Sequence, residues 1–220
     1  MSKTKADIFY SRIENARCIK EIIAIKSKLK DLFFYVPLDV SFISLIGRII
    51  ILAVLLIWGW KLIFASVASN AAGKSFLHLV NTPFHEAGHV FLRPFGSFLT
   101  SLGGTLGQLL MPLVCTAVFL LQTRDTFAAS VGLWWFGENF LDIAPYIGDA
   151  RAGVLPLLGG NIGHSSPYGF HDWEFLLTET GLLRFDQALA RLSHGFGSVL
   201  MILAVTWGGY ILWKTYNEAI

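Results

Sequence analysis

The stretch Phe76–Phe95, FLHLVNTPFHEAGHVFLRPF, organises the rest of the chain, because it sets two histidines and a glutamate inside an apolar segment. His85 and His89 are four residues apart, so a helix would present both imidazoles on one face to a single metal ion. Glu86 would then stand beside the metal, where its carboxylate can hold and deprotonate a water. Zinc fits best, since it accepts two imidazoles, a carboxylate and a water in a tetrahedral shell.

The alternative is a chance HExxH pentapeptide, but polar groups in an apolar segment are costly and need a use. Pro83 lies two residues before His85 and removes a backbone hydrogen bond, so the helix is expected to kink or to begin there, with Thr82 as N-cap. His78 lies seven residues before His85. We predict a packing or hydrogen-bonding role for it, with a contact to the metal as the alternative.

The composition predicts a polytopic membrane protein. Of the 220 residues, 54% are hydrophobic and 15% are charged, whereas a soluble domain carries about 25% charged residues. We expect an all-α bundle of about five spans in one membrane domain, residues 41–220. A re-entrant hairpin near 96–110 or a re-entrant loop near 150–163 is an open alternative. The expected spans are 41–68, 76–95, 106–121, a fourth from 126, and 195–212.

Residues 1–40 form a basic segment in front of the first span. Eight of the 17 Lys and Arg residues precede residue 31, so the positive-inside rule places the N-terminus in the cytoplasm, and a bacterial-type cell membrane is expected. Residues 5–33 read as an amphipathic helix on the lipid surface, with a solvated helix as the alternative. Interspersed acids and the lack of an aromatic pattern argue against a nucleic-acid partner.

Acidic and amide residues lie in the second half of the fourth span. Glu138, Asp142 and Asp149 would share one helix face with Pro145, and Asn139 is adjacent. Three acids on one face of an apolar segment are expensive unless they meet a cation or water. We therefore expect them at the metal, as a ligand, as hydrogen-bonding partners of the ligands, or as substrate contacts.

Glycines and loop histidines offer further candidates with two interpretations each. Gly103 and Gly104 permit an unwound backbone that touches a ligand or pairs with a substrate strand. The alternative is a close helix contact through Gly103 and Gly107. His164 and His171 are expected in a long loop, where an interfacial position is favoured over a second metal site or contacts to the substrate.

Two later segments give the chain a resemblance to a known family. An intramembrane HExxH with a downstream Pro and Asp resembles the site-2 protease family of intramembrane zinc metalloproteases. Asp142-Ile143-Ala144-Pro145 stands where that family has Asn-x-x-Pro, and Gly148-Asp149-Ala150 stands for its Leu-Asp-Gly. Leu102-Gly103-Gly104 looks like the glycine pair of its compact members. The resemblance covers residues 76–151 and includes no PDZ or CBS module.

The resemblance implies a zinc endopeptidase that cuts membrane-embedded or membrane-proximal peptides. One zinc ion would be bound by His85, His89 and Asp149, with Asp142 as the alternative third ligand and Glu86 as the catalytic base. The substrate would be a membrane protein or peptide. A metal-containing membrane scaffold or chaperone without proteolysis remains open, and so does an ion transporter.

Overall fold

The computed structural model describes residues 5–37, 40–156, 162 and 171–219. It is all-helical, as predicted, and no strand occurs among these residues beyond one isolated bridge between Pro156 and Ile162. In the part of the chain that the structure describes, three short 3-10 turns join some of the helices. The helices are α1 (Lys5–Phe33), α2 (Phe42–Ile63), α3 (Phe76–Leu92), α4 (Ser97–Leu121), α5 (Thr126–Gly148), α6 (Asp172–Glu179) and α7 (Asp186–Ala219).

Within the described ranges, three helical segments are long and apolar enough to cross a membrane: α2, α4 and the segment that contains α7. The predicted count of five spans is not confirmed. Helix α3 has 17 residues, which at 1.5 Å per residue is about 26 Å and shorter than a hydrocarbon core of about 30 Å. Helix α5 is long enough, but it carries acidic and amide side chains and is buried along most of its length.

Helix α5 is the centre of the bundle. Trp134 and Leu141 on α5 pack with Leu62 on α2 and Met201 on α7 in the main apolar cluster. On the opposite side of α5, α4 is its neighbour. Because other helices cover α5, its polar residues face protein rather than lipid.

Helices α3 and α4 form a close antiparallel pair. A side chain on Gly88 would collide with the carbonyl oxygen of Gly103, and one on Gly107 would collide with that of Phe84. Helix α4 is continuous through these glycines, so the re-entrant hairpin at 96–110 is not confirmed. The small-residue helix contact, the second interpretation of Gly103 and Gly107, is the one found.

The residues directly after α1 are bound to one end of the bundle. Thr126 donates a hydrogen bond to the carbonyl oxygen of Tyr35, and Lys214 donates one to that of Phe34. Arg48 and Asp125 form an ion pair of 3.0 Å at the same end. The histidines of α3 lie toward the other end. His78 contacts Asp142, and Asp142 is about 24 Å along α5 from Thr126 at 1.5 Å per residue.

Candidate metal site

Helix α3 contains both Pro83 and the whole HExxH motif without a break. The expectation that the helix begins at Pro83 with Thr82 as N-cap is wrong, since α3 begins at Phe76 after Ser75. The Thr82 hydroxyl instead donates a 2.6 Å hydrogen bond to the carbonyl oxygen of His78. His85 and His89 therefore lie one turn apart on one face, with ring centroids 4.7 Å apart.

A third residue completes the group, and it is Asp172. One Asp172 carboxylate oxygen, Oδ2, lies 3.3 Å from Nε2 of His85 and 3.3 Å from Nε2 of His89. The three ligand atoms all lie within 4.8 Å of one another. Asp172 is the first residue of α6, directly after the N-cap His171, and the sequence analysis did not select it.

Both histidines have their other ring nitrogen committed to an oxygen of α4. Nδ1 of His89 is 2.7 Å from the carbonyl oxygen of Thr100, and Nδ1 of His85 is 2.8 Å from Oε1 of Gln108. A carbonyl oxygen can only accept, so each neutral imidazole carries its proton on Nδ1. The Nε2 lone pairs are then directed at the Asp172 carboxylate, an arrangement that a cation between them would stabilise.

Tyr146 orients the Asp172 carboxylate. Its hydroxyl donates to Oδ2 of Asp172 at 3.2 Å and accepts the backbone N–H of Asp172 at 3.1 Å. The Tyr146 ring also packs 4.3 Å from the His171 ring. Helix α5 thus contributes to the site through this phenol rather than through a carboxylate.

The ionisation of the α6 residues follows from these contacts. Burial disfavours the charged carboxylate of Asp172, but when His85 and His89 are protonated on Nε2 as well, their hydrogen bonds to it outweigh that cost and lower its pKa to about 2. Burial lowers the pKa of His171, although the nearby Asp149 charge acts in the opposite direction. Asp172 is therefore an anion at neutral pH, the form that binds a metal.

Asp149, predicted as the third ligand, does not belong to this group. Its two carboxylate oxygens accept the backbone N–H groups of Val154 and Leu155 at 3.0 and 2.9 Å. One of these oxygens, Oδ2, also lies 3.4 Å from Nε2 of His171. Asp149 thus shapes the chain that follows α5 and contacts the residue before Asp172, and the group found here contains Asp172 in place of the acid that the family motif indicates.

The other polar residues of α5 form a buried network with α3. Asn81 donates to Glu138 at 3.1 Å and to Asp142 at 3.0 Å, and His78 lies 2.9 Å from Asp142. The hydrogen-bonding role predicted for His78 is therefore present. Asp142 and Glu138 are not in the group of potential metal ligands, whereas Asn139 reaches it indirectly through Gln108.

Two further predicted residues lie at the site. Glu86 is exposed, and no hydrogen bond or ion pair to it is found among the described residues. Gly104 faces the two imidazoles, because a side chain there would collide with Nε2 of both histidines.

His171 caps α6 through Nδ1, and His164 lies outside the described residues.

We expect Gly104→Ala to weaken zinc binding about tenfold or more, the effect of losing a contact that orients a histidine ligand. The added methyl would force both imidazoles to move, at a cost of about 1–3 kcal/mol for overpacking. The measurement is zinc affinity by competition with a chromogenic chelator. Gly47→Ala is the matched control, since a side chain on Gly47 of α2 meets nothing within 4 Å. Equal zinc affinity in the two variants would show that Gly104 does not shape the site.

Comparisons of the chain with family models, with curated proteins and with solved structures gave no match.

Proposed function

We propose that this protein is a membrane-embedded zinc metallopeptidase. The observation that carries the proposal is the convergence of His85, His89 and Asp172, whose ligand atoms lie within 4.8 Å of one another. Beside them, the glutamate of an HExxH motif is exposed and unpaired among the described residues. This pairing of a potential metal site with a free carboxylate is what metal-assisted hydrolysis requires.

The donor set fits zinc. Two neutral imidazoles and one carboxylate are a common protein contribution to a catalytic zinc site, and they leave one position for water or substrate. The proton on each Nδ1 leaves Nε2 free to bind, and a carboxylate that is ionised at neutral pH supplies the balancing charge. The absence of a side chain at Gly104 leaves space beside the two Nε2 atoms.

Zinc, when bound, would polarise the carbonyl of a scissile peptide bond. Glu86 would take a proton from the attacking water onto its carboxylate and deliver it to the leaving amine nitrogen. Tyr146, which donates to Oδ2 of Asp172, would keep that carboxylate turned toward the two imidazoles. The three ligands and the base come from two helices, α3 and α6, so the relative position of these helices sets the geometry.

The exposed apolar surface supports a membrane substrate. Leu79, Val90 and Phe91 on the motif helix are exposed, and such a face suits contact with lipid or with an apolar polypeptide. A substrate segment must be locally unwound, because the carbonyl groups of a helix are hydrogen-bonded and covered. We propose a peptide bond within or next to a membrane helix as the target.

The two alternative functions are less well supported. A scaffold that only holds a metal has no use for an exposed, unpaired Glu86. An ion transporter would need the α5 acids to face a path, but Glu138 and Asp142 accept hydrogen bonds from Asn81, and Asp142 contacts His78. Both acids lie buried in the core of the bundle.

Metal analysis tests the proposal. The purified protein is expected to carry about one zinc ion, and both His85→Ala and His89→Ala are expected to lose it, because two remaining ligands rarely retain zinc. Removal of zinc by a chelator should stop cleavage of a reconstituted membrane substrate, and added zinc should restore it. Full zinc content in both histidine variants would refute the metal site.

A further inference from the structure

The buried amides beside the histidines form a directed chain of hydrogen bonds that ends at His85. Gln108 on α4 faces His85 with Oε1, and it donates from Nε2 to Oδ1 of Asn139 on α5 at 3.1 Å. Asn139 donates from Nδ2 to the carbonyl oxygen of Trp135 at 3.0 Å. Gln108 and Asn139 are both buried, so their hydrogen-bonding groups need partners within the protein.

The direction of this chain is fixed at its far end. The backbone carbonyl of Trp135 can only accept, so Nδ2 of Asn139 must face it and Oδ1 of Asn139 must face Gln108. The indole N–H of Trp135 can only donate, and it donates to Oδ1 of Asn81 at 2.8 Å. That same oxygen accepts from Nδ2 of Asn139 at 3.3 Å. No member can turn over without placing two donors or two acceptors face to face.

The consequence reaches the metal site. With Nε2 of Gln108 committed to Asn139, only Oε1 can face His85, and His85 must then carry its proton on Nδ1. We propose that Gln108 is a positioning residue that holds His85 with Nε2 free to bind the metal, and that Asn139 and Asn81 act through it. The inference rests on the proposed zinc site, which it deepens.

Thr100 provides the comparison within the molecule. The second histidine, His89, donates a hydrogen bond from Nδ1 to the backbone carbonyl of Thr100 on α4. A side-chain substitution does not remove this carbonyl. His85 relies on a side chain for the same function. The site is therefore asymmetric, because only the Nδ1 partner of His85 can be removed by a side-chain substitution.

A pair of substitutions at one position separates positioning from packing. Gln108→Leu removes the acceptor for His85 and the donor for Asn139. Gln108→Glu keeps an acceptor for His85 but loses the donor for Asn139. Both variants should therefore lose thermal stability, whereas only Gln108→Leu should weaken zinc binding, by about 10–100-fold, the range for partners of histidine ligands. Thr116→Val, which removes a buried hydroxyl elsewhere on α4, should bind zinc as the wild type does.

The second readout is the His85 tautomer in the zinc-free full-length protein, measured by ¹⁵N NMR of labelled histidine at a pH where the imidazole is neutral. We expect the proton on Nδ1 in the wild type and a mixture of tautomers in Gln108→Leu. Wild-type zinc affinity in Gln108→Leu, with its tautomer unchanged, would overturn the inference while the zinc proposal stands. A wild type that binds no zinc, but whose tautomer depends on Gln108, would support the positioning role and refute the proposed function.

Discussion

Asp172→Asn is expected to weaken zinc binding by more than about 100-fold, beyond the 10–100-fold typical of a lost hydrogen-bonding partner. The substitution removes the only carboxylate of the group and its negative charge, while the amide can still accept the hydrogen bond from Tyr146. Helix content should therefore change little. Zinc content after dialysis, together with circular dichroism, measures the effect.

Two other acids serve as matched controls for Asp172. Asp149→Asn should retain zinc affinity to within about tenfold. Asp149 contacts backbone N–H groups and His171, so it could affect the ligand Asp172 only through another residue. Asp142→Asn should retain it as well, because its carboxylate lies with Asn81 and His78. Zinc lost in Asp149→Asn but kept in Asp172→Asn would restore the ligand implied by the family motif.

Glu86→Gln is expected to keep zinc and to reduce peptide cleavage by about 10²–10⁴-fold, the contribution of a general base. The side chain is exposed, so the change should leave the fold intact. A suitable assay uses single-span test proteins with a fluorescent reporter on each side of the membrane, reconstituted with the enzyme in liposomes. The cleavage rates of Glu86→Gln and of the wild type are compared on those test proteins that the wild type cuts.

Glu179→Gln is the control for Glu86, because Glu179 is an exposed glutamate at the far end of α6. It should cleave at the wild-type rate. Wild-type cleavage by Glu86→Gln would remove Glu86 from the mechanism. Loss of zinc in Glu86→Gln would instead make it a ligand or a structural residue.

Local patterns in the sequence predicted the helices and the core of the site. His85 and His89 follow from a spacing of four residues, which any regular helix converts into a shared face. The spacing of Gly103 and Gly107 had two interpretations, a close helix contact and an unwound backbone. The structure has the helix contact, because α4 is continuous through both glycines. The helical periodicity that placed α5 did not reveal which of its polar residues face the histidines.

The third acid could not be predicted in the same way, because it comes from a distant part of the chain. Asp172 lies 87 residues after His85, and the packing of α6 against α4 and α5 brings it to the imidazoles. Asp149 was favoured because it follows a proline in the pattern of a known family. A signal for Asp172 was present, since it stands between a glycine-rich stretch of sequence and an apolar segment, and an acid that becomes buried needs a partner.

The partners of the imidazoles were also beyond sequence reasoning. Gln108 and Thr100 face the histidines because the α3–α4 glycines allow the two helices to come close together. The pairing depends on the register of that contact, which glycine spacing alone does not specify. Polar residues buried in a helical segment, such as Gln108 and Asn139, are nevertheless a usable signal, because each must find a partner.

Anomalous diffraction at the zinc absorption edge, from crystals of zinc-loaded Glu86→Gln protein, tests the central claim most directly. The account predicts one strong peak, bonded to Nε2 of His85, Nε2 of His89 and a carboxylate oxygen of Asp172. A peak bonded to Asp149 in place of Asp172, or no peak at these histidines in protein that contains zinc, would contradict it.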